Sequence, residues 1–244
     1  MKTIYFSGIL IILINVMAGC DGISGGFGNS GSDTLKEGEK PAFYENGKLH
    51  FIVTYKDGKA NGRVREYYTD GKLYMDAIYK DDHRHGKCTH FFKNGKPFTF
   101  SYYVNGAKDS IETKFYESGQ LLSCTPYKNN KVQPGLKEFK KDGTPIVNDN
   151  SLIISEVDHT TLEGKYFVYV RLKTPRKNAK FYSSTQSDAR SRELLKISDG
   201  AGILVVPVYA GSFVMKKLIF EAEYKTPKGN TVCLQKLYNL SIDL

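Results

Sequence analysis

Three histidines and two aspartates form the densest group of potential metal ligands in this chain. His83 and His85 follow Asp81 and Asp82 closely, and His90 comes five residues after His85. Imidazole and carboxylate groups at such short spacing are ligands that zinc prefers. The same residues also suit a turn between two strands, because aspartate tolerates the backbone angles of turns. We expect a structural role here, and we predict no metal and no cofactor.

The cysteines and the remaining polar residues do not form a recognisable catalytic set. Cys88 and Cys124 fall on strands that a simple meander would separate by three spacings of about 4.8 Å, or about 14 Å. A disulfide needs Cα atoms within about 7 Å, so we expect no bridge between them. Cys233 is predicted to be a buried thiol. No Ser-His-Asp or Cys-His combination and no glycine-rich phosphate loop is recognisable, so we predict that the protein is not an enzyme.

The elements that position these side chains repeat every 24 residues (67 − 43, 91 − 67 and so on). Two aromatic series and one glycine series share this period. The first aromatic series is Phe43, Tyr67, Phe91, Phe115 and Phe139, the second is Tyr55, Tyr79, Tyr103 and Tyr127, and the glycines are Gly47, Gly71, Gly95, Gly119 and Gly143. Chance does not align such series, so this region is an array of one supersecondary unit copied along the chain.

Each copy predicts two short antiparallel strands and two turns. Residues 49–55 alternate between apolar and other side chains, as a half-buried strand requires. Asn-Gly at Gly47 and its equivalents predict a tight two-residue turn, because these residues tolerate positive φ. Phe98, Phe100 and Tyr102 fill the opposite alternation, so we expect both faces of the sheet to carry aromatic side chains.

These units resemble the MORN-repeat variant family of bacteria, whose copies read F-Y-x-N-G-K-L-x(5)-Y-K-D-G-K-x-x-G. The copy from Phe43 has Phe-Tyr-Glu-Asn-Gly-Lys-Leu, then Tyr-Lys-Asp-Gly-Lys from Tyr55, and Gly62. The copy from Tyr67 matches nearly as well, although Asp82 stands where the first copy has a glycine. The resemblance covers about residues 38–147. It implies an elongated, single-layer antiparallel meander that binds proteins or membrane lipids and has no catalytic residue.

The N-terminus has the pattern of an export signal. A short positive start precedes an apolar run at residues 4–16, and residues 17–20 read Met-Ala-Gly-Cys. This run is shorter than the about 20 residues of a membrane-spanning helix. The ending resembles the lipobox of bacterial lipoproteins, so residues 1–19 are predicted to be removed and Cys20 to be acylated; ordinary cleavage with a free Cys20 is the alternative. Residues 20–37, rich in Gly and Ser, are expected to form a flexible tether.

The remainder of the chain divides into the repeat array at residues 38–148 and a different region at residues 151–244. In the second region, stretches rich in Val, Ile, Tyr and Phe read as strands at residues 152–157, 166–174, 179–183, 203–209, 214–224 and 231–242. Their spacing suggests an immunoglobulin-like β-sandwich. Residues 187–195 are expected to form one helical turn or a loop.

The charge of the chain is positive but evenly spread. It carries 35 basic and 26 acidic side chains, for a net charge of +9. The densest basic run, at residues 171–180, could contact anionic lipid or an acidic glycan, but we favour a solvated loop. We expect no nucleic acid partner for an exported protein.

These observations predict a non-enzymatic protein of the bacterial cell envelope, attached to the membrane by its N-terminal lipid, whose repeat array binds a protein partner or acts as a scaffold. The possible binding surface comprises the aromatic residues of both series, Phe43, Tyr67, Phe91, Phe115, Tyr55, Tyr79, Tyr103 and Tyr127, although packing across strands is the favoured interpretation of these rings. One alternative is a cell-wall or surface-glycan binding module that uses the same aromatic ladder. A weaker alternative is an antitoxin-like component, a label that some bacterial relatives carry.

Overall fold

The structure is a computed structural model that describes residues 37–243. Within this range the chain is almost entirely β-strand, which confirms the predicted all-β class. The predicted signal segment, Cys20 and nearly all of the predicted tether lie outside the described residues. No helix in residues 37–243 combines the length and the apolar character that a membrane span requires.

Twelve strands form one antiparallel sheet over the repeat region, which we call the repeat sheet. The strands are β1 Gly38–Phe43, β2 Leu49–Lys56, β3 Lys59–Tyr67, β4 Leu73–Lys80, β5 His83–Phe91, β6 Pro97–Val104, β7 Ala107–Lys108, β8 Ser110–Phe115, β9 Leu121–Lys128, β10 Lys131–Val132, β11 Lys137–Phe139 and β12 Pro145–Ile146. Their order is β1-β2-β3-β4-β5-β6-β8-β9-β11-β12, with β7 paired to β6 and β10 paired to β9. Apart from the two-residue strands β7 and β10, neighbours in sequence are therefore neighbours in the sheet, which confirms the meander.

The turn inside each repeat holds three residues, so the predicted two-residue turn is wrong there. Gly47 donates its N–H to the Tyr44 carbonyl (2.9 Å), and Tyr44 donates to the Lys48 carbonyl (2.8 Å). A three-residue loop of this kind places glycine in the left-handed region, and Gly47 has φ +78°. The same pair of hydrogen bonds recurs at Gly71, Gly95, Gly119 and Gly143.

Two-residue turns occur between repeats instead. Strands β2 and β3 pair up to Lys56 and Lys59, which leaves Asp57 and Gly58 between them, both with positive φ. Positive φ at both central residues defines the type I′ turn, whose twist matches that of paired strands. Residues 81–82, 105–106 and 129–130 repeat the arrangement.

The repeat sheet buries one face and leaves the other open. Alternate strand positions place one group of side chains in a shared cluster, which we call the closed face: Val53, Ala60, Val64, Met75, Ala77, Tyr79, Cys88 and Tyr103. Towards the C-terminal end the equivalent positions are also buried but polar, and include Ser101, Lys108, Glu112, Ser123 and Thr125. The intervening positions point the other way and form the open face.

Two four-stranded antiparallel sheets follow, which we call the two-sheet region. Their elements are β13 Leu152–His159, α1 Thr160–Glu163, β14 Lys165–Leu172, β15 Lys180–Thr185, β16 Asp188–Leu194, β17 Lys196–Ser198, β18 Ala201–Pro207, β19 Phe213–Lys225 and β20 Thr231–Asp243. The first sheet has the order β13-β14-β18-β17, and the second has β16-β15-β19-β20. Side chains from both sheets, such as Val168 and Phe220, share one apolar core.

Six strands of this region lie where the sequence predicts them. The prediction of a helical turn or loop at residues 187–195 is wrong, because residues 188–194 form β16 and pair with β15. Strand β16 is mostly polar, and backbone pairing with β15 at the edge of the second sheet holds it in an extended conformation. The helical turn lies at Thr160–Glu163 instead. The immunoglobulin-like assignment stays a prediction.

The tip of the β19–β20 hairpin contacts the last repeats. Asn230, which is 2% exposed, donates from Nδ2 to Glu138 Oε1 (2.6 Å) and accepts from Lys114 Nζ (3.0 Å). Thr226 Oγ1 donates to the same Glu138 oxygen (2.8 Å). These hydrogen bonds attach the two-sheet region to the closed face of the repeat sheet.

Candidate functional site

The three histidines of the predicted turn lie in three different environments. His83 Nδ1 lies 2.6 Å from the Asp81 carbonyl oxygen, and His85 Nδ1 lies 3.2 Å from Asn105 Oδ1. His90 is on the closed face, 3.1 Å from Thr99 Oγ1. In the described part of the chain, no group of three or more His, Cys, Asp or Glu side chains is placed to hold a metal ion.

A half-buried arginine occupies the middle of the closed face. Arg84 lies over the ring of Tyr103, with its guanidinium carbon 5.4 Å from the ring centroid. Its Nε donates to the Tyr79 hydroxyl at 3.2 Å. Tyr79 and Tyr103, both of the second aromatic series, therefore stabilise the Arg84 cation on the closed face, and the contact with Arg84 orients their rings.

One repeat further on, a lysine takes the position of that arginine. Lys108 forms a buried ion pair with Glu112, and its ammonium also lies 4.6 Å from the centre of the Tyr127 ring. Glu112 accepts a hydrogen bond from Ser101 Oγ (3.1 Å), and Lys114 Nζ lies 3.6 Å from its other oxygen. The network continues through Lys114 to Asn230 at the junction with the two-sheet region.

The charges of the closed face control the protonation of its titratable groups. Burial alone would raise the pKa of Glu112, but Lys108 and Lys114 outweigh burial and hold the pKa below its usual value. Burial, together with the positive charges of Arg84 and Lys108, lowers the pKa of His90 to about 4. Near neutral pH, Glu112 is therefore ionised and His90 is uncharged. These groups satisfy one another, which suits a structural network better than proton transfer to a substrate.

The structure separates the two predicted aromatic series. In the second series, Tyr79 and Tyr103 are 4% and 3% exposed on the closed face, while Tyr55 and Tyr127 are half-buried. In the first series, each residue follows a closed-face position, so alternation places its ring on the open face. Phe43 is exposed, and Tyr67, Phe91 and Phe115 are half-buried.

A second accessible apolar surface of the repeat sheet involves residues outside both series. Tyr102 and Ile111 are 52% and 54% exposed, and they lie on neighbouring strands of the open face. Next to them, Phe100 contacts Phe115 edge to face at 5.3 Å between ring centroids, and Lys87 Nζ lies 4.6 Å from the Phe100 ring centre. We call Lys87, Phe100, Tyr102, Ile111 and Phe115 the open-face patch. Neither residue type recurs at a spacing of 24 residues: the equivalents of Tyr102 are Ile78 and Pro126, and those of Ile111 are Lys87 and Gly135. This departure from the repeat is the signal in the sequence that marks both residues.

The cysteines are dispersed. Cys88 is buried on the closed face, Cys124 lies on β9 and is half-buried, and both are free thiols. Strands β6 and β8 separate them, as the sequence predicts. Cys233 is buried, as predicted, and burial beside Glu221 and Glu223 raises the pKa of its thiol to about 12. This thiol is therefore protonated and unsuited to nucleophilic chemistry.

Comparison with known families identifies the repeats. The family model described as MORN repeat variant matches residues 36–57, 60–81 and 108–129. No curated protein matched the chain. The unmatched residues 82–107 continue the same strands and turns, with the three-residue loop at Gly95 and the two-residue turn at Asn105-Gly106. The three matched segments of this chain are thus similar to MORN repeat variants.

Proposed function

We propose that the protein is a non-enzymatic, lipid-anchored scaffold of the bacterial cell envelope and that its open-face patch binds a protein partner. Repeats of this family are commonly protein or membrane interaction modules and are generally non-catalytic, which supports a binding role. The export-signal pattern and the Met-Ala-Gly-Cys sequence at residues 17–20 support attachment through Cys20.

The exposure of Tyr102 and Ile111 carries the assignment of the binding surface. Both side chains are more than half exposed, side by side, on a sheet face that also presents Phe100 and Phe115. A contiguous exposed apolar surface with a polar rim, here Lys87, is typical of protein interaction sites. The closed face is less suitable, because its side chains already contact one another.

A crosslinking experiment tests this surface. A photoreactive amino acid replaces Tyr102 in one strain and Met215, a 68% exposed residue of the second sheet of the two-sheet region, in another. We expect a discrete crosslinked partner from position 102 only, and we expect Tyr102→Ser with Ile111→Ser to abolish its recovery in a pull-down. Identical products at both positions, or a partner list unchanged by the double substitution, would contradict the proposal.

A glycan-binding function is the second candidate, because four aromatic residues of successive repeats share the open face. One strand lies between the strands of successive rings, so the rings are two strand spacings, or about 10 Å, apart across the sheet. Phe43, Tyr67, Phe91 and Phe115 therefore form a ladder on which sugar rings could stack. This function predicts that the purified protein binds isolated envelope polymer and that Phe91→Ala with Phe115→Ala abolishes binding while the melting temperature shows a folded protein. Unchanged polymer binding would exclude the ladder as the site.

The anchor has its own test, which is independent of the partner. Metabolic labelling with a fatty acid should mark the wild-type protein and leave Cys20→Ser unlabelled. An unprocessed, unlabelled wild-type protein in the cytoplasm would overturn the envelope assignment and favour the antitoxin-like alternative.

A further inference from the structure

The two sheets of the two-sheet region have very different outer faces. Outward positions of the first sheet carry mainly apolar side chains, which we call the apolar outer face: Ile153, Val157, Phe167, Tyr169, Ile203 and Val205. Outward positions of the second sheet include Tyr182, Arg192, Glu221, Glu223 and Gln235, and Arg192 pairs with both glutamates (2.9 and 2.7 Å). Exposed apolar side chains also lie at outward positions of this sheet: Leu194, Phe213, Met215 and Leu237. The second outer face therefore mixes apolar side chains with carboxylates, whereas the outward strand positions of the first sheet carry no carboxylate.

The sequence of the central strands has the same peculiarity. Residues 166–170 read Tyr-Phe-Val-Tyr-Val, and residues 203–206 read Ile-Leu-Val-Val. Near-continuous apolar runs are typical of strands that are covered on both faces. Within the described residues, the core covers only the inward side chains, such as Val168 and Val206. Ile153 and Val205 remain 49% and 45% exposed on the other side.

The charges on this face are of one sign. Its outward positions include Lys165, Arg171 and Lys196, which pair across strands with Pro207, Ile153 and Ile203, and they include no carboxylate. Arg171 lies over Tyr169, with its guanidinium carbon 5.3 Å from the ring centroid. Acidic residues contact the two ends of the face, where Glu163 of α1 lies 3.3 Å from Lys165 Nζ and Asp149 lies 3.7 Å from the Nζ of Lys173, the residue after β14. The surface is therefore apolar with a basic margin.

Two apolar side chains project at the end of this face. Leu162 lies in α1 and Tyr209 in the loop after β18, and they are 86% and 75% exposed. Val208 donates its N–H to the Gly164 carbonyl (3.0 Å), so the two segments lie side by side. They extend the apolar surface beyond the strands.

We propose that the apolar outer face docks on an anionic lipid bilayer. Apolar and aromatic side chains surrounded by Lys and Arg match the boundary between acyl chains and anionic headgroups. A second copy of the same face would place Lys165, Arg171 and Lys196 of both copies at one interface with no carboxylate from either face to pair with them, so charge disfavours self-association there. The proposal concerns this face alone and holds whether or not Cys20 is acylated.

A single introduced tryptophan tests the contact, because the chain has none of its own. V205W places the reporter on the apolar outer face, and L237W places it on the outer face of the second sheet, where Leu237 is comparably exposed (55%). The full chain is mixed with vesicles of phosphatidylglycerol and phosphatidylcholine that contain brominated lipid. We expect a blue shift and quenching for V205W and neither for L237W. Quenching reports only whether the tryptophan itself touches lipid, so membrane attachment through another segment does not affect the comparison of V205W with L237W.

The charge requirement gives a second measurement. Each basic residue near an anionic surface contributes about 1 kcal/mol, or about a factor of five. Arg171→Gln together with Lys196→Gln in the V205W background should therefore lower the ratio of lipid-bound to lipid-free reporter, measured by quenching at position 205, by about 25-fold. Replacing the mixed vesicles with vesicles of phosphatidylcholine alone should lower this ratio by at least as much as the two substitutions do. I153W replaces V205W if circular dichroism shows that V205W is unfolded.

Several results would overturn the proposal. An unshifted, unquenched reporter at position 205 would do so, as would equal responses from V205W and L237W. Equal quenching by neutral and anionic vesicles would contradict the role of the basic margin. A concentration-dependent blue shift without vesicles would identify a second copy as the occupant instead.

Discussion

The repeat sheet and the two-sheet region bury their side chains in different ways. The two-sheet region encloses large apolar groups between two layers, and Phe181, Phe220 and Leu240 are almost completely buried. Among residues 37–243, no second layer of this kind covers most of the closed face of the repeat sheet, and its most buried residues include small ones, such as Cys88 and Ser123. One region thus depends on packing, while the other depends on recurring hydrogen bonds and a charged network. This difference predicts which substitutions each region tolerates.

The largest effect is expected in the core of the two-sheet region. Phe220→Ala should lower the free energy of unfolding by about 3–5 kcal/mol, because it removes a fully buried ring and leaves a cavity between the sheets. Denaturant unfolding measures the loss. Phe213→Ala is the matched control, since Phe213 is on the same strand and 59% exposed. Similar losses for both variants would contradict the view that packing stabilises this region.

In the repeat sheet, the buried ion pair should matter most. Glu112→Gln leaves the ammonium of Lys108 buried without its carboxylate, which should cost about 3 kcal/mol. The exposed pair of Arg63 and Asp76, 2.6 Å apart, provides the control, because Asp76→Asn should cost no more than about 1 kcal/mol. Equal costs would show that burial of the Lys108–Glu112 pair has no energetic consequence.

The sequence predicts the parts of this structure that depend on local chemistry. Turn glycines and alternation locate the strands of the repeat sheet, because both act within a few residues. They do not distinguish a three-residue from a two-residue loop at Gly47, since both accept glycine with positive φ. Strand β16 was missed because its residues are polar and only pairing with β15 makes it a strand.

The sites depend on contacts between distant residues and were harder to predict. Lys108, Glu112 and Lys114 are separated by four and two residues, and intervals that are multiples of two place side chains on one face of a sheet. This spacing could have indicated the network. Nothing local could show that Asn230, over a hundred residues away, completes it. Likewise, the 24-residue period identifies Tyr103 as a repeated residue but does not show that it is buried against Arg84.

The histidine of the closed face should make stability depend on pH. His90 has a pKa of about 4 in the folded protein and about 6.5 when unfolded, so between these values the unfolded chain binds more protons. Stability should therefore fall by on the order of 2 kcal/mol as the pH drops from 6.5 to 4. His90→Gln should flatten that part of the profile of unfolding free energy against pH.

A turn histidine controls for the loss of an imidazole as such. His83→Gln removes a histidine without changing the closed face, because the His83 ring contacts the Asp81 carbonyl in the turn. An unchanged slope in His90→Gln would show that other groups cause the pH dependence. Glu112 acts in the same direction at lower pH, since its lowered pKa means that its contribution is lost as the pH falls below about 4.5.

The smallest effect tests whether recurring hydrogen bonds stabilise the repeat sheet. Tyr44, Tyr68 and Tyr116 each donate a hydroxyl proton to a carbonyl in the next repeat, to Tyr67 (2.6 Å), Phe91 (2.7 Å) and Phe139 (2.8 Å). The equivalent residue of the third repeat is Phe92, which has no hydroxyl.

Restoring the missing donor should therefore stabilise the sheet. Phe92→Tyr should raise the free energy of unfolding by about 1 kcal/mol, the net contribution of one hydrogen bond, through a contact to the Phe115 carbonyl. Tyr68→Phe is the reciprocal variant and should lose a similar amount. A gain in the first and a loss in the second, measured by denaturant unfolding, would show that each repeat is joined to the next by an interchangeable contact. A loss of stability in Phe92→Tyr would mean that the third repeat has adapted its packing to phenylalanine at this position.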